Sequence, residues 1–166
     1  MKTRNRAMII GSIGAGKSTL THALVGRRQE AVKTQSLRYE DWIVDTPGEY
    51  IENPMYYRSL MATSLEVTHV LYIQDATRTK SSFPPGFSTG IPKLPIAVVT
   101  KADAKEAHIE RAIEEVKKTV PRGPVVVSSV FRDQGIEEIR QLVLQNTLEE
   151  MKEYIDSKKS NFLFFL

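Results

Sequence analysis

Gly11-Ser12-Ile13-Gly14-Ala15-Gly16-Lys17-Ser18 follows the apolar run Ala7-Met8-Ile9-Ile10 and leads into a stretch, residues 19–25, that reads as a helix. The string is G-x-x-x-x-G-K-S between a strand and a helix N-terminus, the context that makes it a phosphate-binding P-loop. Backbone N–H groups at a helix start, together with the positive end of the helix dipole, form an anion site. Gly11, Gly14 and Gly16 let the main chain close around phosphate oxygens where a Cβ would clash or φ must turn positive. On this reading Gly11, Ser12, Ile13, Gly14, Ala15, Gly16 and Thr19 contribute to the phosphate cradle. Lys17 reaches the terminal phosphates and the Ser18 hydroxyl ligates Mg²⁺. A nucleoside triphosphate is the expected ligand.

Composition bounds what else the chain can be. Its 166 residues are 41% apolar and 26% charged, ordinary values for one globular domain. The domain is expected over residues 1–156, followed by a tail over 157–166. The net charge of +3 is spread over scattered basic residues, so no nucleic-acid-binding stripe is expected. With no cysteine, disulfides, Cys-based zinc sites and thiol nucleophiles are excluded. His22, His69 and His108 lack ligand spacing. No apolar run is long enough to span a membrane, and a cytoplasmic protein is expected. The oligomeric state stays open.

Strand and helix alternate along the chain, which predicts an α/β fold. The expected form is a single-domain P-loop NTPase: a mostly parallel sheet of about six strands, one of them antiparallel, with helices on both faces. Strands are placed at 6–10, 37–40, 42–44, 68–73, 95–99 and 123–127. Helices are placed at 54–66, with Pro54 in the first turn, at 106–120, and at 135–154 as one piece. Residues 81–94, rich in proline and glycine, read as an irregular loop or a broken helix.

Four further segments fit a nucleotide site. Asp45-Thr46-Pro47-Gly48 follows a buried strand, so Asp45 is expected to hold Mg²⁺ through water and the Gly48 amide to meet the γ-phosphate. Thr34, in the polar segment before it, is a further candidate for Mg²⁺ and the γ-phosphate. Thr100-Lys101-Ala102-Asp103 ends another strand. There Asp103 can accept from guanine N1–H and its exocyclic amino group together, which favours GTP or GDP over ATP. The Lys101 stem would lie over the ring, and the Thr100 hydroxyl would brace the loop. Asp103 with Glu106 also reads as a D-x-x-E capping box. Ser128-Ser129 is the candidate turn that offers an amide to guanine O6.

In this order the segments resemble small P-loop GTPases over nearly the whole chain. More narrowly the chain is similar to the EutP/PduV group. The stretches carrying that likeness are residues 11–18, Lys33-Thr34-Gln35, Asp45 to Asn53 as DTPGEYIEN, Gln74-Asp75-Ala76-Thr77, Phe83-Pro84-Pro85-Gly86-Phe87 and Thr100 to Asp103. The resemblance implies GTP binding and a role in ethanolamine and propanediol utilisation. It also implies association with bacterial microcompartments, whose shell proteins would be partners. For some members it implies an acetate-kinase-like activity.

Phosphoryl transfer needs positioning and charge neutralisation. Lys17 and Mg²⁺ supply the charge, with Thr34 and Glu49 as the remaining catalytic candidates. Glu49 could orient water, yet its charge near the phosphates opposes attack, so slow hydrolysis is expected. No arginine is placed as a finger in cis; Arg38 and Arg58 are distant. A phosphotransferase acting on acetate would need an acceptor pocket, expected from Thr34, Glu49 and the loop 83–87. A docking module that binds GTP without turnover is the third class.

Overall fold

Alternate side chains of β1 (Ala7–Ile10) enter two separate cores, and all four are fully buried. Ala7 and Ile9 join one cluster, Met8 and Ile10 the other. Such a strand needs cover on both faces, as the strands of parallel sheets do. The computed structural model describes residues 4–26 and 37–166. After β1 come α1 (Lys17–Val25), β2 (Arg38–Glu40), β3 (Ile43–Asp45), the short α2 (Glu49–Glu52) and α3 (Tyr57–Ser64). Then follow β4 (His69–Asp75), β5 (Leu94–Thr100), α4 (Ile109–Thr119), β6 (Pro124–Val127), α5 (Ile136–Leu144), α6 (Leu148–Lys158) and β7 (Leu163–Phe165).

The sheet order is β2-β3-β1-β4-β5-β6-β7, parallel except for β2 against β3 and β7 against β6. Leu20, Leu24, Ile139, Leu142 and Met151 bring α1, α5 and α6 onto one face. Leu60 of α3 and Ala112 and Val116 of α4 cover the other. The seventh strand is the apolar C-terminus: Leu163 pairs with Val126 and is 2% exposed.

Two helices depart from the sequence expectation. The last helix is two helices, because Thr147 caps α6 through a bond from Glu150 N, at 3.0 Å, while the Glu150 carboxylate takes the Asn146 amide at 2.6 Å. Thr147 thus starts a new helix, and Glu150 holds the amide of the residue just before the cap. At α4, the Ala107 amide turns back to Ala104 and the His108 amide bonds Ala76 O, so the helix begins at Ile109. His108 is the N-cap, and Asp103 does not cap the helix. In the loop 81–94, Phe83 and Phe87 pack edge-on against Tyr72 of β4.

His69 at the start of β4 is fully buried, with Gln145 O 2.8 Å from Nε2 and the Thr68 hydroxyl 2.7 Å from Nδ1. Burial pushes its pKa down to about 4 from 6.5, against the pull of the Gln145 carbonyl. The folded chain therefore holds His69 neutral where an unfolded chain binds a proton. Stability is full above about pH 6.5, falls as pH drops toward 4, and levels below it. The loss should reach about 2–3 kcal/mol by pH 4.5. Urea unfolding at pH 7.5 and 4.5 checks this: His69→Gln should narrow the difference by that amount, and an unchanged difference refutes the assignment.

Candidate nucleotide-binding site

At the C-terminal end of β1 the chain turns through Gly14 and Gly16, at φ +78° and +92°, into the N-terminus of α1. A left-handed backbone at both positions is what glycine permits at no steric cost. Lys17 is 6% exposed and its Nζ donates to Ser12 O at 3.0 Å, so the ammonium lies within the span of the loop. Burial pulls Lys17 below the ordinary lysine range, and the Arg78 charge adds to that, while Asp45 and Glu52 oppose it. A poorly hydrated ammonium at the start of a helix is suited to a polyphosphate.

β3 delivers Asp45 to the same place. The Ser18 hydroxyl donates to Asp45 Oδ2 at 3.0 Å, and Asp45 is 2% exposed. A hydroxyl and a carboxylate side by side are hard oxygen donors of the kind Mg²⁺ takes, few in number and completed by water and phosphate. Thr46 fastens the segment to β1 through its hydroxyl on Ile9 O at 2.7 Å. Gly48 then passes so near the P-loop that a Cβ there would lie 2.6 Å from Ile13 N and Cγ1. Glu49 is exposed at the first position of α2, and Glu52 accepts from the Ile13 amide at 3.2 Å. Thr34 lies outside the described residues.

The base side is built by β5 and β6. Thr100 Oγ1 donates to Ala15 O at 2.8 Å, tying the end of β5 to the P-loop. Lys101 Nζ donates to Gly14 O at 2.7 Å, which lays its stem across the loop. A pocket of about 240 Å³ opens there, lined by Gly16, Thr19, Lys101, Asp103, Ser128 and Phe131 among others. Asp103 Oδ1 accepts from Ser129 Oγ at 2.7 Å, so that hydroxyl orients the carboxylate. The amides of the serine pair are engaged elsewhere, Ser128 N on Val99 O and Ser129 N on Gln134 O. The role expected for them, an amide offered to guanine O6, is thus corrected: Ser129 acts here through its hydroxyl.

Sequence reasoning missed a second cation beside Lys101. Asp75, 3% exposed at the end of β4, accepts from Lys101 Nζ at 2.9 Å and from Thr77 N and Oγ1 at 2.8 and 2.6 Å. Burial works against its ionisation, yet the Thr77 and Lys101 bonds hold its carboxyl below the usual range. Arg78 Nε lies 3.7 Å from the same carboxylate. Its guanidinium then reaches the P-loop: Nη1 donates to Ser12 Oγ at 2.9 Å and Nη2 to Ile13 O. The only advance signal was the arginine three residues after Asp75 in a turn whose aspartate reads as a cap.

The family model PduV-EutP, described as ethanolamine utilisation - propanediol utilisation, matches residues 4–145. A protein of Escherichia coli (strain K12) named "Probable acetate kinase EutP" is 31% identical over 147 residues, which cover 87% of this chain and 92% of that one. The "Propanediol utilization protein PduV" of Citrobacter freundii is 31% identical over 134 residues, 81% of this chain and 89% of its own. Among solved structures, bacterial selenocysteine-specific elongation factor EF-Sec matches with TM-score 0.62 and 19% identity over 92% of this chain. Aquifex aeolicus Era bound to GDP and AlF4⁻ matches with TM-score 0.57 and 20% identity over 85%. The chain spans 29% and 56% of those two structures, and the likeness is that of a P-loop GTPase fold.

Proposed function

We propose, for a chain that belongs to the PduV-EutP family of ethanolamine and propanediol utilisation proteins, that it binds GTP with Mg²⁺ and hydrolyses it slowly. The site of this action would be the cytoplasm, with the shell of a bacterial microcompartment as the associated assembly. One observation carries the nucleotide reading: Lys101 and Thr100 join the phosphate loop to the Asp103 pocket in a single continuous surface. Lys17 and the loop amides neutralise the terminal phosphates, Ser18 and Asp45 hold the metal, and Asp103 selects guanine. Bound Mg²⁺ would supply charge compensation on the phosphate oxygens. Slow turnover follows because Glu49, exposed on α2, brings a negative charge where the others bring positive ones.

Calorimetric titration of GTP and ATP, with and without Mg²⁺, followed by incubation with γ-labelled nucleotide, tests the reading. Preferred GTP binding and slow release of free phosphate are expected. A single-turnover rate of about 5–20 s⁻¹, that of partner-stimulated GTPases, would contradict slow turnover. Among the described residues no helix is long and apolar enough to cross a membrane.

A second reading, phosphoryl transfer to acetate, rests on the names of the curated relatives. Its acceptor pocket loses one expected wall. Phe83 and Phe87 pack into the core on Tyr72, and Gly86 N bonds Lys118 O at the far end of α4. Acetyl phosphate formed only when acetate is present would support this reading. Binding with no product at all would favour a docking module.

A further inference from the structure

We propose that Arg78 is a catalytic arginine supplied in cis, which holds the γ-phosphoryl group and the β–γ bridging oxygen as the bond between them breaks. This inference rests on the reading of the site as one that cleaves GTP. Arg78 stands just past the end of β4, on the turn that Asp75 organises. Its guanidinium spans the crest of the phosphate loop, on Ser12 Oγ and Ile13 O. A Cβ built on Gly14 would lie 3.3 Å from Nη2, so the group sits directly above a loop residue that must be glycine for its φ of +78°. Its charge is also felt at the Lys17 ammonium, which the sequence assigns to the terminal phosphates.

The partners of Arg78 leave it open to a ligand. Lys101 and Arg78 share the carboxylate of Asp75, Lys101 at 2.9 Å and Arg78 only at 3.7 Å, so the guanidinium has no close carboxylate of its own. Arg78 is 41% exposed, and its present loop acceptors are a neutral hydroxyl and a neutral carbonyl. A phosphate oxygen carries negative charge and can take two parallel guanidinium N–H bonds, which neither present acceptor offers. A guanidinium has five N–H donors, so Arg78 can turn toward phosphate while keeping its hold on Ile13 O. Ile13 itself fills the space beside Gly48.

In the step, a bond forms between water oxygen and the γ-phosphorus, and the bond from γ-phosphorus to the bridging oxygen breaks. The electron pair stays on the β-phosphate of GDP; one water proton leaves to solvent and the other remains on the released phosphate. Negative charge grows on the bridging oxygen, and a guanidinium there stabilises the transition state more than the ground state. Because Asp75 already offsets part of its charge, Arg78 should contribute on the order of a hundredfold, below the 10³–10⁵ of an unpaired finger.

Arg78→Gln keeps amide donors for Ser12 and Ile13 and removes the charge; Arg78→Lys keeps charge without the planar fork. Both are compared with wild type for GDP and GTP affinity, single-turnover cleavage, and trapping of GDP·AlF4⁻. The expected result is cleavage down by about a hundredfold in both variants, GDP affinity within threefold of wild type, and loss of AlF4⁻ trapping. Cleavage at the wild-type rate in Arg78→Gln overturns the proposal. So does an equal loss of GDP and GTP affinity with cleavage of bound nucleotide unchanged, the signature of a residue that only shapes the loop. A wild-type protein that binds no GTP, or never cleaves it, overturns the underlying reading and this one with it.

Discussion

Asp103→Asn should lower GTP affinity by about a thousandfold and raise that for xanthosine triphosphate by a similar factor. The carboxylate of Asp103 opens into the pocket beside Lys101 and Phe131, steadied by the Ser129 hydroxyl at 2.7 Å. Guanine would donate to it twice, from N1–H and from the exocyclic amine, and each bond to a charged acceptor contributes about 1.5–3 kcal/mol. An amide in its place turns a donor toward the exocyclic amine, whereas xanthine presents a carbonyl there. The Ser129 bond survives, since the asparagine oxygen can still accept it. Displacement of a fluorescent nucleotide by GTP and by xanthosine triphosphate measures both affinities. An unchanged affinity for GTP removes Asp103 from the site.

Deleting residues 160–166 should be close to lethal for the fold. β7 contributes ladder bonds along β6, continued by Val127 N on Phe162 O at 2.8 Å and Leu166 N on Gly123 O at 2.8 Å. Leu163 and Phe165 join the core under α6, Phe164 and Leu166 the opposite one, and Phe162 touches both. Returning these side chains to water costs roughly 5 kcal/mol, comparable with the whole stability of many domains. The melting temperature should fall by about 10 °C or more. The deletion also bares one edge of Pro124-Val125-Val126-Val127, an uncharged β-prone strand then paired only with β5, so soluble yield should drop. A truncated chain that stays monodisperse and melts within about 3 °C of the parent would refute this account.

The phosphate side of the site was legible because its spacing is forced. A main chain that wraps an anion needs glycine at set positions, and Lys17 and Ser18 then open α1 while Asp45 ends β3. Thr100 was also readable, as a hydroxyl one bond from where a brace was needed. Arg78 escaped because it belongs to no period and no motif; only the turn at Asp75 and the crossing of β4 beside β1 bring it over Ser12. Residues 145–147 escaped for another reason. The apolar spacing of α5 runs on into α6, and the capping pair Thr147 and Glu150 outweighs it. The apolar C-terminus, expected as a tail, has nowhere to go in sequence terms, yet the open edge of β6 supplies its partner.

Threonine at position 100 has a thermodynamic consequence of its own. Its side chain is β-branched, with a single stiff heavy-atom torsion, so fixing it on Ala15 O freezes little rotamer freedom. Asparagine, with two torsions, would surrender more to make the same contact. The cradle is therefore held in shape before any ligand arrives, and less ordering remains to be done on association. Capture of nucleotide by such a preset cradle should carry a smaller entropic penalty, and with it a weaker dependence on temperature, than capture by one that must first be assembled.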